Sequence, residues 1–289
     1  MILPRFELAE PRSISEACDI LGRNAKSKVI AGGTDLLVNL KRKVITTEVL
    51  ISLARIPELS TTRSSAAASV ALGPMMTIAE VAESPLVKAS FPALCQAAGK
   101  LGSSQIRNRA TLGGNVCTAR PAGDTIGPLI AYGAVAQIAG ARGERTEPFG
   151  ALFRGPGQTT IRPDELLTGV TLPRPAPNTG ASYVKYTIRN AMEIALVSAT
   201  SVVTVDRGVC QSAKIVLGAV APTFVRCKVT EAFLVGKKIT DDIAEEAGHL
   251  VIDACAPITD LRASADYRRT LVQVLVKRSL LEAAANAAN

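Results

Sequence analysis

The stretch "VIAGGTDLLVNLKRK", residues 29–43, places two glycines, a threonine and an aspartate between a short apolar run and a segment with helical apolar spacing. Two adjacent glycines cost chain entropy, so they are expected where the backbone must be bare or unusually turned. The pattern predicts a strand at 29–31, a glycine turn, and a helix over 35–43. Such a turn offers backbone N–H groups at the positive end of a helix, where anionic groups bind.

A second glycine stretch, "ATLGGNVCTARPAGD" (residues 110–124), follows about eighty residues later. We read it as a second bare loop, with Thr111 and Asn115 as side-chain donors and Thr34 as the matching donor of the first loop. Two such loops, brought together, would hold a pyrophosphate from both sides, as a dinucleotide requires. Asp124 either accepts hydrogen bonds from the sugar hydroxyls of a cofactor or caps the helix that follows it. Each loop alone is a weak signal, because neither is a GxGxxG or a GK[ST] motif.

The composition indicates a soluble globular protein of one large or two medium domains, since 289 residues include 47% apolar and 20% charged ones. The sequence contains no uninterrupted run of about eighteen apolar residues, so it indicates no membrane span. The first residues do not resemble a secretory signal, so we expect a cytoplasmic location.

Charge and residue usage argue against two other classes of function. The net charge of +8 suits an anionic ligand or an acidic partner, whereas the absence of Trp and the scarcity of other aromatic residues argue against nucleic-acid binding. The six cysteines are scattered without a CxxC pair, and His249 is the single histidine. We therefore expect reduced cysteines and no metal site in this chain.

Along the chain, the pattern predicts a mixed α/β region, a Pro-rich connector at 173–180, and a second region with strands and helices segregated. Further strands are predicted at 49–53, 68–77, 134–140, 144–149 and 165–173, and within 195–220 as a pair joined at Arg207–Gly208. Helices are predicted at 77–87, 93–101, 124–133, 229–236, 241–255 and 265–286.

The order of these motifs resembles that of the FAD-binding medium subunits of molybdenum hydroxylases, the family of carbon monoxide dehydrogenases and xanthine dehydrogenases. The resemblance rests on "AGGTDL", "ALGPMMTIAEV", "QIRNRATLGGNVCTARPAGDT", "DELLTGVTLP" and "VLGAVAPTFVRCKVTEAFLVGK", and it covers nearly the whole chain. It implies an α+β protein whose residues 1–175 form an FAD-binding domain of the vanillyl-alcohol oxidase and MurB type (PCMH type), in two α/β subdomains. Residues 180–286 would form a C-terminal domain of the CO dehydrogenase flavoprotein type. That domain would combine a three-stranded antiparallel sheet, with its third strand in "SYVKYTI", and a helical bundle.

The same resemblance assigns cofactor contacts to particular residues. It gives pyrophosphate binding to the two loops, namely Ala31, Gly32, Gly33, Thr34, Asp35, Thr111, Leu112, Gly113, Gly114 and Asn115. It places Asp124 against the ribityl or ribose hydroxyls, and Leu167 and Lys185 on the flavin side. Ile194, in "IRNAMEIALVSA", would cover the isoalloxazine ring, although the residue also suits simple packing in a core strand.

The resemblance further implies an electron-transfer function without catalytic residues in this chain. A large partner subunit with the molybdenum cofactor would oxidise the substrate, and two [2Fe-2S] clusters of a small subunit would pass electrons to FAD. FAD would deliver them to NAD, a quinone or another acceptor, in a complex that is a dimer of heterotrimers. One branch of the family carries an additional cluster in a cysteine-rich insertion, but Cys117 is the single cysteine at that place, so we expect FAD and no metal.

Two interpretations stay open at this stage. The chain is either such a subunit or a stand-alone FAD-dependent oxidoreductase, with a non-enzymatic dinucleotide-binding module as a third reading. The basic residues of the C-terminal helical region are either a solvated face or a rim that docks a partner subunit. They are Arg262, Arg268, Arg269, Lys277 and Arg278.

Overall fold

The computed structural model describes residues 2–65, 68–189 and 192–287. Within these ranges the chain forms fourteen strands and twelve α-helices, with 3₁₀ helices at Pro57–Ser60 and Ile252–Ala254. The strands are β1 Glu7–Ala9, β2 Ser27–Ile30, β3 Val49–Ser52, β4 Arg63–Ser65, β5 Ser69–Leu72, β6 Val135–Gly140, β7 Gly143–Pro148, β8 Phe153–Gly155, β9 Gln158–Thr159, β10 Glu165–Pro173, β11 Thr179–Tyr186, β12 Val197–Asp206, β13 Val209–Gly218 and β14 Val225–Arg226. The helices are α1 Ile14–Arg23, α2 Leu36–Lys41, α3 Ile78–Glu83, α4 Pro85–Ser90, α5 Pro92–Gly99, α6 Ser104–Arg107, α7 Leu112–Thr118, α8 Ile126–Ala131, α9 Phe149–Leu152, α10 Lys228–Leu234, α11 Asp241–Leu250 and α12 Ala265–Ala287.

The first part of the chain contains two main sheets that share helix α1. A parallel sheet has the order β1-β3-β2, and an antiparallel sheet has the order β4-β5-β10-β6-β7. Helix α1 is capped by the Ser13 side chain and buries Ala17, Cys18 and Leu21. This apolar face packs against residues of both sheets, including Ile51 and Leu166. The first glycine stretch therefore leaves the parallel sheet, at the end of β2, close to the antiparallel sheet.

The second part is built on an antiparallel sheet with the order β11-β12-β13-β14. The resemblance predicted three strands, and the structure adds the two-residue strand β14 beside Val216 and Leu217. A strand of two residues leaves no periodic pattern in a sequence. It is held by an ion pair, because Arg226 donates to the carboxylate of Glu231, which also accepts the backbone N–H of Ile215.

Proline and glycine move several predicted boundaries. The predicted helix 77–87 is two helices, α3 and α4, because Pro85 disfavours a helical Ser84, whose side chain instead caps α4. The predicted strand 68–77 ends at Leu72, and the following residues 73–76 form a turn. The second glycine stretch is not a loop throughout, since Leu112–Thr118 is helix α7 with Thr111 as its N-cap.

The two parts of the chain pack against each other, and strands of the second part complete the core of the first. Ala181 and Tyr183 of β11 belong to the buried cluster of the first part, together with Val202 of β12 and Val216 of β13. Val184, the residue after Tyr183, packs against the cluster of the second part. Because side chains alternate across a strand, β11 contributes one face to each core.

No helix among residues 2–65, 68–189 and 192–287 combines the length and the apolar character that a membrane crossing requires.

Candidate functional site

The two glycine stretches meet at the edge of a cleft with a volume of about 400 Å³. Clefts of about 300–1,000 Å³ are typical of small-molecule and cofactor sites. The predicted contact residues that line it are Ala31, Gly32, Gly33, Thr34, Asp35, Thr111, Gly113, Gly114, Asn115 and Leu167. The structure thus brings both stretches, which are about eighty residues apart in sequence, to one site.

Backbone hydrogen bonds fasten the second stretch to the turn after β5. Ile78 donates to the carbonyl of Ala110 at 2.8 Å, and Leu112 donates to that of Met76 at 2.9 Å. Gly113 donates to the carbonyl of Pro74 at 2.7 Å. These bonds place Pro74 and Met75 in the cleft wall, where sequence reasoning did not expect them. The sequence signal for this turn is "GPMM", residues 73–76. It interrupts the strand pattern just before Thr77 and Glu80, which form the capping box of α3.

The glycines of the cleft are required for different reasons. A Cβ atom on Gly32 would lie 1.9 Å from the carbonyl oxygen of Arg109, so these two backbones are in direct contact. A Cβ on Gly113 would lie 2.6 Å from the Cβ of Pro74. Gly33 has a φ of +76°, a conformation that favours glycine. The bare backbone at Gly32 and Gly113 therefore serves the contact between segments of the protein itself.

The two stretches differ in the hydrogen-bond donors that they leave free. Among the described residues, no acceptor pairs with the backbone N–H groups of Gly32, Gly33 and Thr34. In the second stretch, the N–H of Gly114 is bound by the Thr111 hydroxyl at 3.0 Å, and that of Asn115 by the Thr111 carbonyl. Since Leu112 and Gly113 are also engaged, Thr111 has the one backbone N–H group of residues 111–115 that no described acceptor binds, which corrects the expectation of two equivalent loops.

The second stretch contributes side chains to the cleft instead. The Asn115 Oδ1 atom accepts a hydrogen bond from the Thr125 hydroxyl at 2.7 Å. This bond fixes the orientation of the amide and leaves its NH₂ group as the donor of a residue that lines the cleft.

The remaining wall of the cleft is mostly apolar. Its larger apolar side chains include those of Val29, Leu36, Leu53, Met75, Leu101, Ile106, Ile161, Leu166 and Leu167. Among the described lining residues there is no lysine or arginine, and the carboxylates are those of Asp35 and Glu165. Glu165 is buried between Arg145 and Arg162, whose guanidinium groups lower its pKa to about 2. Its charge is therefore compensated within the protein and does not repel an anionic ligand strongly.

Four predicted contact residues lie outside the cleft lining. Leu112 is fully buried beneath it. Asp124 and Lys185 form a buried ion pair of 2.9 Å, and the Tyr183 hydroxyl donates to the same Asp124 oxygen at 2.5 Å. Helix α8 has Thr125 as its N-cap, so Asp124 is not a helix cap.

Ile194 precedes β12 and its side chain is 59% exposed. It is therefore not a core residue of the strand, as the alternative reading of the sequence had it. Asn190 and Ala191 of the same segment lie outside the described residues. The contact of Ile194 with a flavin ring stays a prediction.

The five basic residues of the C-terminal helical region have different environments, since Arg278 is exposed and Arg262 pairs with Asp260. Arg268 is 1% exposed, and it donates to Asp260 at 2.9 Å and to the carbonyl of Leu196 at 2.6 Å. Arg269 pairs with Asp266, and Lys277 pairs with Asp241 and Glu245. Arg268 lies on the same face of α12 as Leu271 and Leu275, and it belongs to the buried side of that helix. The hypothesis that Arg268 docks a partner is wrong.

Within the described residues, no cluster of three or more His, Cys, Asp or Glu side chains could hold a metal ion.

Comparison with known proteins gives consistent results over the whole chain. Residues 4–175 match the family model for the FAD binding domain in molybdopterin dehydrogenase, and residues 182–283 match that for the CO dehydrogenase flavoprotein C-terminal domain. The carbon monoxide dehydrogenase medium chain of Hydrogenophaga pseudoflava is 34% identical, over 97% of both chains. A putative xanthine dehydrogenase FAD-binding subunit of Escherichia coli K12 is 30% identical, over 95% of this chain and 94% of that one.

Solved structures agree with these sequence relatives. A chain of the H. pseudoflava carbon monoxide dehydrogenase that lacks the Mo-pyranopterin moiety superimposes with a TM-score of 0.95 at 34% identity, over 99% of both chains. A chain of quinoline 2-oxidoreductase from Pseudomonas putida 86 also gives a TM-score of 0.95, at 29% identity and over 100% of both chains.

Proposed function

Since the chain belongs to the family of FAD-binding subunits of molybdenum-containing dehydrogenases, we propose that its cleft binds FAD and that the protein transfers electrons within a larger oxidoreductase. The observation that carries this proposal is the division of the cleft. Gly32, Gly33 and Thr34 leave three backbone N–H groups free at one side, and the rest of the wall is mostly apolar. A diphosphate suits the first region and a flat ring system suits the second.

The residues of the chain have distinct roles in this proposal. The N–H groups of 32–34 and the Asn115 amide bind the diphosphate, and Leu167 with its apolar neighbours keeps water from the ring. Asp124 accepts hydrogen bonds from sugar hydroxyls, while Lys185 and Ile194 lie on the flavin side. Bound FAD would supply the redox chemistry itself. The protein then needs no catalytic acid or base of its own.

The partners are inferred from the relatives. Several of them are named medium chain or medium subunit, and the solved H. pseudoflava relative is described as lacking the Mo-pyranopterin moiety of its molybdenum cofactor. We infer a small subunit with two [2Fe-2S] clusters that delivers electrons, a large subunit with the molybdenum cofactor, and an acceptor such as NAD or a quinone. The assembly would be a cytoplasmic dimer of heterotrimers. Within this chain, residues 1–175 would form the FAD-binding domain and 180–286 the C-terminal one.

The cofactor assignment is tested by the flavin that the purified protein releases. We expect heat denaturation to release FAD and not FMN, at one per chain. Gly33→Asp should abolish FAD retention, because a carboxylate beside the diphosphate adds about 1–4 kcal/mol of repulsion at surface-like dielectric. Gly157→Asp is the matched control, since Gly157 also has positive φ but lies outside the cleft lining. Release of FMN, or full FAD content in the Gly33 variant, would place the site elsewhere.

The partner assignment is tested by isolating the tagged chain from its native host. Co-purification of one subunit with iron and labile sulfide and one with molybdenum is expected. A flavin-loaded chain that purifies alone and reduces an acceptor unaided would instead support the stand-alone oxidoreductase.

A further inference from the structure

A polar cluster, buried at Asp124 and Tyr183, joins the two parts of the chain behind the cleft. It consists of Asp124 and Lys100 from the first part, and of Tyr183 and Lys185 from β11. Tyr183 and Lys185 are two positions apart on one strand, so both side chains face the first part. The Lys100 ammonium in turn donates to the carbonyl of Tyr183 at 3.2 Å. We call these four residues the junction cluster.

The junction cluster is anchored to the cleft wall on two sides. Lys185 Nζ donates to the carbonyl of Lys100 at 2.7 Å, and the next residue, Leu101, lines the cleft. On the other side, Thr125 follows Asp124 and donates to Asn115, which also lines the cleft. Asp124 is therefore linked to two cleft residues. It is linked to Asn115 through its neighbour Thr125, and to Leu101 through Lys185 and the carbonyl of Lys100.

The hydrogen bonds of Asp124 are distributed unequally between its two oxygens. Oδ1 accepts from both the Tyr183 hydroxyl, at 2.5 Å, and Lys185 Nζ, at 2.9 Å. Among the described residues, no donor pairs with Oδ2. Oδ2 is open to solvent, so it can accept a hydrogen bond from a ligand hydroxyl in place of water.

We propose that Tyr183 is a positioning residue for the cofactor: its hydroxyl holds Asp124 by one oxygen and keeps the other as the acceptor for a sugar hydroxyl of FAD. This role rests on the proposed function, because it presumes that FAD occupies the cleft. Tyr183 does not itself line the cleft. It acts through the orientation and the charge of Asp124.

Electrostatics in the junction cluster supports this role. Burial raises the pKa of Asp124, whereas the charge of Lys185, the hydrogen bond from Tyr183 and the charge of Lys100 lower it. Burial lowers the pKa of Lys100, whereas the charge of Glu282 on α12 raises it. Burial and Asp124 raise the pKa of Tyr183 well above its usual value, so the phenol stays a donor at working pH. Loss of the hydroxyl removes one influence that lowers the pKa of Asp124, and the carboxylate then takes up its proton at a higher pH.

The test is a titration of the full-length apoprotein with FAD, followed by flavin fluorescence between pH 5 and 9. We expect Tyr183→Phe to weaken FAD binding about tenfold at pH 7, because the lost hydrogen bond involves a charged group. The pH below which binding weakens should also move upward. Tyr132→Phe is the matched control, since Tyr132 is also buried, its hydroxyl accepts a hydrogen bond from the backbone N–H of Ala93, and it does not line the cleft. That variant should keep the wild-type affinity and pH profile.

A double-mutant cycle separates positioning from simple packing. In an Asp124→Asn background, Tyr183→Phe should change the FAD affinity less than twofold, since no carboxylate remains to be held. An equal loss in both backgrounds, or wild-type binding by Tyr183→Phe, would overturn the proposal. If Tyr183→Phe does not fold, 4-aminophenylalanine at position 183 retains a donor and must restore binding to near the wild-type level. Failure of the wild-type chain itself to bind FAD would instead refute the proposed function, and the proposal with it.

Discussion

Gly32 and Gly33 stand side by side in one turn, yet the structure requires glycine at each for its own reason. Gly32 is in contact with the carbonyl of Arg109, so its hydrogen allows the two cleft segments to touch. Gly33 needs its positive φ to turn the chain from β2 into α2. Substitutions at the two positions therefore affect different properties, the first the closure of the cleft and the second the path of the backbone.

Gly32→Ala tests the contact between the segments. The added methyl group meets backbone atoms that cannot rotate away, so we expect the free energy of unfolding to fall by about 1–3 kcal/mol, with loss of FAD. Gly150→Ala is the control, because a Cβ there meets no atom within 4 Å. It should leave FAD content unchanged and stability equal or slightly higher. Urea unfolding of both variants gives the answer, and equal stabilities would contradict the contact.

Helix α12 contains a buried cation, Arg268, that the helical pattern of its sequence does not distinguish from an exposed one. Arg268 and Arg269 are adjacent and chemically identical, but the helix turns one toward the sheet and the other toward solvent. Arg268 is anchored by Asp260, whose pKa is held far below its usual range by Arg262 and Arg268. The long-range partner Asp260 lies outside the helix, and the helical period alone does not reveal it.

The two arginines should therefore respond very differently to charge reversal. Arg268→Glu leaves an uncompensated buried charge beside Asp260, and we expect it to lower the free energy of unfolding by at least about 3 kcal/mol. Arg269→Glu, in an exposed pair with Asp266, should change it by less than about 1 kcal/mol. Thermal denaturation of the two variants checks this, and similar melting temperatures would show that Arg268 is not buried in solution.

Local patterns predicted those features that depend on neighbours in sequence. The start of α2 after "AGGTD", the pair β12 and β13, and the residues of both glycine stretches at one cleft follow from glycine chemistry and periodicity, aided by the family resemblance. What they missed depends on distant partners. The N–H of Gly113 is bound by the carbonyl of Pro74, and Glu231, which pairs with Arg226 of β14, also binds the N–H of Ile215 in β13, 16 residues away.

Residues of the second part complete the core of the first, although the second part also has a buried cluster of its own. Tyr183 and Val202, from the second part, are buried in the cluster of the first. The Asp124–Lys185 pair also crosses the junction. The connector at 173–180 is consequently a boundary in sequence, while the packing across it is continuous.

Unfolding should therefore be a single event for the full chain. The chain has four tyrosines and no tryptophan, so tyrosine fluorescence and far-UV circular dichroism report on both parts. We expect the two signals to give coincident urea transitions.

A separately expressed fragment 1–175 should not bind FAD at wild-type affinity, because it lacks Tyr183 and Lys185. A soluble fragment 1–175 that binds FAD as the full chain does would show that the two parts are independent.

The contact between Gly32 and Arg109 joins segments that the ribosome makes at different times. The walls of the cleft are translated far apart, beginning near residue 29 and ending with Leu167. At about 5–20 residues per second, a ribosome needs on the order of ten seconds to make the intervening chain. Until the segment that begins at Arg109 is made, the first glycine turn has hydrated N–H groups and no segment opposite it. A flavin therefore joins a polypeptide that is more than half made, and it stabilises the finished protein without guiding its earliest steps.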